Sequence, residues 1–303
     1  MSHLADATPD NPMPRTAEIG SATADVDDRP VTIIRPPTFS FGTLWQSAAR
    51  LSQYRDLLYT LSAHRLQVRY KQSILGPLWA ILQPLSLMLI YTIIFWGLAR
   101  VGSDGIPYTL FAFTALLPWT CFSTAVSTAT SSLVSHFNLV TKVYFPREIL
   151  PLTYIIAAVV DLAAGGIILA ALIAYYSVPV TLQALWAIPI VGVMVMLALA
   201  VSLVLSAIQV KFRDIGMAMP LLLQVWMFAT PVVYPLSRVP LEWRTLYMLN
   251  PMVGVIENFR RVLIQGTAPD LESLLVATSI SAGLLIVAFL YFKRVEATMA
   301  DVL

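Results

Sequence analysis

The run Arg69-Tyr70-Lys71-Gln72-Ser73-Ile74-Leu75-Gly76-Pro77-Leu78-Trp79 leads directly into the apolar segment from Ala80 to Leu98. A basic amphipathic stretch ends in a Gly-Pro break, and a helix of membrane length begins on a tryptophan. That order lays a cationic helix on a membrane surface and feeds the chain straight into hydrocarbon. A helix buried in a soluble core has no use for such a junction. Composition agrees, with 58% hydrophobic and 12% charged residues. Soluble domains average about 45–50% apolar and about 25% charged. The fold class that follows is an all-α polytopic membrane protein.

Six transmembrane helices are expected, over 79–98, 108–133, 149–176, 182–208, 217–234 and 273–292. Each is near or above the ~20 residues that cross a bilayer. Lys and Arg set the orientation. With the N-terminus in the cytoplasm, the inner segments hold Arg50, Arg55, Arg65, Arg69 and Lys71, then Lys142 and Arg147, Lys211 and Arg213, and Lys293 and Arg294. The outer segments hold Arg100, then Arg238, Arg244, Arg260 and Arg261 in the long fifth connection. The bias puts both termini in the cytoplasm and blurs only in that connection.

Residues 1–45 have no apolar core, are rich in Ala, Asp, Thr and Pro over the first 30, and read as a disordered cytoplasmic tail. Residues 46–76 read as an amphipathic interface helix. Leu51, Tyr54, Leu57, Leu58 and Leu61 form its apolar stripe, with Arg55, Arg65 and Arg69 off it. The membrane domain takes 77–303. Between spans five and six, 241–249 reads as a short helix. Asn250-Pro251 is an N-cap with Pro at the first helical position, 252–264 is a second helix, and Gly266 is its stop. Met252, Val255, Ile256, Phe259 and Leu263 form one face, with Glu257, Arg260 and Arg261 off it. The pair suggests a re-entrant helical hairpin.

The chain has no Gly-Lys dipeptide, which excludes a phosphate-binding loop of the G-x-x-x-x-G-K-[ST] type. One cysteine, Cys121, and three scattered histidines, His3, His64 and His136, give no metal-ligand spacing. No paired acid and base stand out, so no catalytic residue, no metal and no cofactor are assigned to this chain. Gly165-Gly166, inside the third span, reads as close helix packing. Asp161 lies mid-span, where a charge is costly. No Lys or Arg shares its depth, so its partner is expected to be a polar side chain, water or a proton. It either lines a wet path or fixes helix packing. Thr120, Thr124, Ser127 and Ser131 share one face of span two, as path lining or as close-packing small residues. Tyr91, Phe95, Trp96, Phe111, Phe113, Trp119, Trp226, Phe228 and Tyr234 read either as an interfacial belt or as flat surfaces for sugar rings. Lys142, Tyr144, Phe145 and Arg147 have the aromatic-plus-Arg makeup of a contact patch, or are simply a basic inner loop.

Four stretches then carry a resemblance: 69–79 as quoted above, Tyr144-Phe145-Pro146-Arg147, Thr230-Pro231-Val232-Val233-Tyr234-Pro235, and Leu249-Asn250-Pro251-Met252 followed by Phe259-Arg260. In this order the chain from about Gln46 onward resembles the permease subunits of type-2 ABC exporters for lipid-linked polysaccharides. The resemblance implies a homodimeric channel in the bacterial inner membrane, paired with two copies of a separate nucleotide-binding ATPase subunit that holds ATP and Mg. The cargo is a polyprenyl-diphosphate-linked glycan, with O-antigen preferred over teichoic acid and capsule-like polymers, and nucleic acid is not a partner. By the same resemblance, Lys142, Tyr144, Phe145, Pro146, Arg147 and Glu148 form the ATPase-coupling segment. Arg55, Arg65, Arg69 and Lys71 face lipid headgroups. Tyr91, Phe95, Trp119, Thr124, Ser127, Trp226 and Tyr234 line the substrate channel. Asn250, Pro251, Val255, Phe259 and Arg260 belong to the outer gate. The competing reading is a stand-alone ion-coupled carrier or lipid flippase, which Asp161 alone favours.

Overall fold

The computed structural model describes residues 53–71, 75–98, 100, 102–103 and 105–302. The tail over 1–45, and Arg50 and Leu51 of the interface helix, lie outside the described residues. The described residues belong to one compact unit, Pro37–Leu303. Its helices are α1 (Arg55–Lys71), α2 (Trp79–Tyr91), α3 (Tyr108–Thr130), α4 (Ser132–Ser135), α5 (Phe137–Lys142), α6 (Ile149–Tyr175), α7 (Ala187–Lys211), α8 (Asp214–Phe228), α9 (Leu241–Met248), α10 (Pro251–Leu263) and α11 (Leu271–Val302). A π-helical stretch, Thr92–Leu98, prolongs α2, and a 3-10 turn, Leu182–Trp186, leads into α7.

Among the described residues, five segments are long and apolar enough to cross a membrane: Ile81–Leu98, Tyr108–Thr130, Ile149–Tyr175, Leu182–Lys211 and Leu271–Glu296. The expected span over 217–234 is not one continuous helix. Its helix, α8, has 15 residues, about 22 Å at 1.5 Å per residue against a hydrocarbon core of about 30 Å. It stops at Phe228 because Pro231 has no N–H to donate and disfavours helical backbone at Thr230. The chain then turns, burying Val232 and Val233 completely.

The core forms around α3, which carries no charged residue and is buried on most of its surface. Helices α6 and α7 flank it, and α2, α8 and α10 also touch it. Gly165 of α6 faces α3, where a Cβ would run into the end of the Leu117 side chain, whereas Gly166 faces open space. A second cluster at the opposite end joins Leu133, Phe145, Ile149, Leu150, Leu203, Phe292 and Met299. Tyr54, just before α1, and Leu57, Leu58 and Leu61 of α1 pack against it. The apolar stripe expected to meet lipid therefore meets the chain's own protein. Asp56 in the first turn of α1 and Arg69 and Lys71 in its last suit the helix dipole.

Candidate functional site

The loop between α5 and α6 carries its side chains in two directions. Lys142, Val143 and Tyr144 point outward, Tyr144 being 73% exposed. Phe145 is 5% exposed, inserted into the second hydrophobic cluster, and Glu148 is buried as well. Lys293 Nζ, reaching across from α11, stands 2.8 Å from Glu148 Oε2 and 2.8 Å from Glu296 Oε2. The Arg147 guanidinium donates to the Glu296 carbonyl, and the Arg147 N–H donates to Glu296 Oε1 at 3.3 Å. Burial pushes the Glu148 carboxyl above its ordinary range, and the Lys293 ammonium partly opposes that shift. The six expected coupling residues are thus divided. Lys142 and Tyr144 form an outward surface, Pro146 is half-buried, and Phe145, Arg147 and Glu148 fasten the loop to the protein behind it.

Helix α1 docks on α6. The Arg65 guanidinium lies 3.7 Å from the centre of the Tyr154 ring and donates to Tyr154 Oη at 3.1 Å. One turn later Arg69 forms an ion pair with Asp161. This corrects the expectation that no cation reaches Asp161. Periodicity placed Arg69 outside the spans, yet the helix carrying it runs beside α6 and reaches twelve residues past Ile149. Arg65 and Arg69 therefore engage the protein, while Arg55 and Lys71 remain exposed. Thr120 and Thr124 line a small pocket of about 30 Å³ in which Gln83, Arg69 and Asp161 meet Pro84, Leu117 and Leu162. Ser131 leaves this group and accepts from Gln209 Nε2 at 3.2 Å, and Ser127 is half-buried.

The aromatic set also divides. Phe111, Phe113 and Trp119 are core side chains with 3%, 0% and 4% exposure. Neither an interfacial belt nor the lining of an open path describes them, because α3 is enclosed by its neighbours. Tyr91 Oη lies 3.7 Å from Met227 Sδ, and Phe95 meets the Tyr91 ring edge-on. Trp226 donates through Nε1 to Asn250 Oδ1 at 3.1 Å. Tyr234 donates to the Phe228 carbonyl at 2.8 Å, with Tyr247 Oη 3.1 Å away.

The two helices around Asn250-Pro251 are as expected in chain position. Asn250 Oδ1 accepts from the Met252 N–H at 3.2 Å, Pro251 opens α10, and Gly266 follows with φ +62°. Their environments differ sharply. No residue of α9 is buried, whereas ten of the thirteen in α10 are. Arg260 does not lie off the apolar face. Its side chain is 2% exposed and stacks 3.6 Å above the Phe111 ring. It donates to the carbonyls of Phe111 (3.3 Å), Pro231 (2.8 Å) and Val232 (2.5 Å), and to Glu257 Oε1 (3.0 Å). The carbonyls of Pro231 and Val232, which lie past the end of α8, together with that of Phe111, supply the polar partners that a buried guanidinium requires. Val255 and Phe259, also expected at a gate, are core residues.

Residues 56–264, from α1 to the end of α10, match the family model of ABC-2 type transporters. The chain belongs to that family. As an ABC-2 type transporter chain it is 35% identical over 254 residues to the O-antigen export system permease protein RfbA of Myxococcus xanthus, spanning 83% of this chain and 96% of the relative. A protein of the same name from Klebsiella pneumoniae is 29% identical, over 82% and 95% of the two chains. The polysialic acid transport protein KpsM of Escherichia coli is 25% identical, over 80% and 94%.

The family match ends before α11, which supplies Lys293 and Glu296 to the loop. Sequence reasoning counted Lys293 only toward orientation and did not single out Glu296. The legible signal was Lys293-x-x-Glu296, an i,i+3 pair just past the last apolar stretch. Nothing local pointed to Glu148 as its other partner.

Proposed function

We propose that this chain is the membrane-spanning subunit of an ATP-driven exporter. It moves a polyprenyl-diphosphate-linked, O-antigen-like polysaccharide from the cytoplasm to the outer face of the bacterial inner membrane. Two copies form the channel, and each engages a separate ATPase subunit through the loop over 142–148. The observation that carries this reading is the family match across α1–α10, joined by relatives named as O-antigen and polysialic acid exporters. Two further features support it. A loop that couples to an ATPase needs an exposed contact surface on a stiff base, and Lys142–Tyr144 over the Phe145–Glu148–Lys293 base has that form. Exposed apolar faces on α2 (Leu89, Ile90, Ile93) and α8 (Leu221, Leu222, Val225) suit lipid and a second copy. The competing stand-alone carrier rested on Asp161, and the pairing of Asp161 with Arg69 weighs against that reading.

Co-purification with a candidate ATPase subunit tests the assignment. Lys142→Glu with Tyr144→Ala, both outward-facing, should weaken binding about tenfold or more. Unchanged ATPase binding and undiminished glycan export would reject the loop as the contact.

A further inference from the structure

We propose that α11 is a rod coupling the loop at one end of the molecule to the buried hairpin helix at the other, with Lys293 and Asn258 as positioning residues at its two ends. This rests on the reading of the chain as an ATP-driven permease. Helix α11 runs unbroken for 32 residues, about 48 Å. It contains no proline, and it packs along α7 with Ser281 and Ala288 buried. Twenty residues, about 30 Å of helix, separate Ser273 from Lys293.

Each end is fastened by polar contacts, part-buried at the loop end and buried or part-buried at the hairpin end. At the loop end, Lys293 bridges Glu148 and Glu296, and Arg147 grips the Glu296 carbonyl. Phe292 and Met299 are buried beside them. At the hairpin end, Asn258 of α10 donates to Ser273 Oγ at 2.9 Å and accepts from the Asp270 N–H at 2.6 Å. Gly254 brings the backbones together: a Cβ there would lie 2.8 Å from the Ser273 carbonyl oxygen and 3.0 Å from Ala277 Cβ. Helix α6 also starts at the loop, but an apolar groove of about 530 Å³ separates Leu162, Leu169 and Ile173 from Phe259 and Leu263 of the hairpin. A stiff helix held at both ends transmits a shift that a groove absorbs, since packed interfaces move between discrete arrangements rather than deforming. A displacement of the loop by the ATPase therefore reaches α10 through α11.

The test uses the full permease–ATPase complex in nanodiscs, with a spectroscopic label on a cysteine at the exposed Thr267, beside the end of α10. Its ATP-dependent signal is read together with ATP turnover and, in vesicles, glycan exported per ATP. Two variants uncouple the rod at opposite ends: Asn258→Ala with Ser273→Ala, and Lys293→Gln with Glu296→Gln. In both, the label response should be lost and export per ATP should fall about tenfold. In the hairpin-end pair, ATP turnover should stay within about twofold of the parent. Lys293→Arg, which keeps the charge, should retain the response. A wild-type label response in either assembled pair overturns the proposal, as does a proportional fall of export and ATP turnover in both. Failure of the unaltered complex to export with ATP would instead overturn the functional reading on which this rests.

Discussion

Arg260 shows how a single side chain reverses a reading made from periodicity. A charged residue on an amphipathic helix is expected to face water, yet this one sits in the core among backbone carbonyls. Those acceptors come from residues 28, 29 and 149 positions away, so no local pattern contained them. Arg260→Ala strands several buried acceptors and should cost about 3 kcal/mol or more, seen as a lower thermal midpoint in detergent. Arg260→Lys, lacking the planar fork, should recover less than half of that. Arg69 and Asp161, 92 positions apart, pose the same difficulty. A double-mutant cycle of Arg69→Gln and Asp161→Asn should give a coupling of about 1 kcal/mol or more. Strict additivity would mean that the pair is incidental. Asn250, by contrast, was legible because a helix cap is made within three residues of chain.

Among elements, the hairpin was legible in outline and not in depth. The Asn-Pro start and Gly stop fixed the bounds of α10, but its nearly complete burial depends on α3, α7 and α11 closing around it. Helix α9, which is much less amphipathic, finds no such enclosure. A cysteine at Leu246 in α9 should react promptly with a water-soluble thiol reagent, and one at Val255 in α10 should react only after unfolding. Equal reactivity would contradict the division. Tilting α10 by itself would break the Arg260 contacts, so α10 is held to the core as α9 is not. Gly254→Ala should crowd α10 against α11 and lower stability by about 1–3 kcal/mol. Five of the six expected spans coincide, at nearly the expected bounds, with apolar helices of membrane length, because length and composition alone mark such segments. Span five does not, since Pro231 and Pro235 cut short a segment whose hydropathy continues.

At the scale of the whole molecule, α3 is the hub, the cationic α1 is clasped to α6, and α11 ties the loop end to the hairpin end. From the Lys and Arg pattern we propose that the loop end faces the cytoplasm. A cysteine at the exposed Ser135 should then label from the cytoplasm and one at Thr267 from outside, in a Cys121→Ser background. Reversed labelling would invert the orientation. The central claim is that this chain moves a lipid-linked glycan only when joined to an ATPase. The most direct measurement is translocation of a polyprenyl-diphosphate-linked O-antigen glycan into proteoliposomes, with and without the ATPase subunit, in ATP or under a proton gradient alone. ATP-dependent translocation that requires both subunits is the predicted result. Translocation by this chain alone, driven by the proton gradient, is the result that would contradict it.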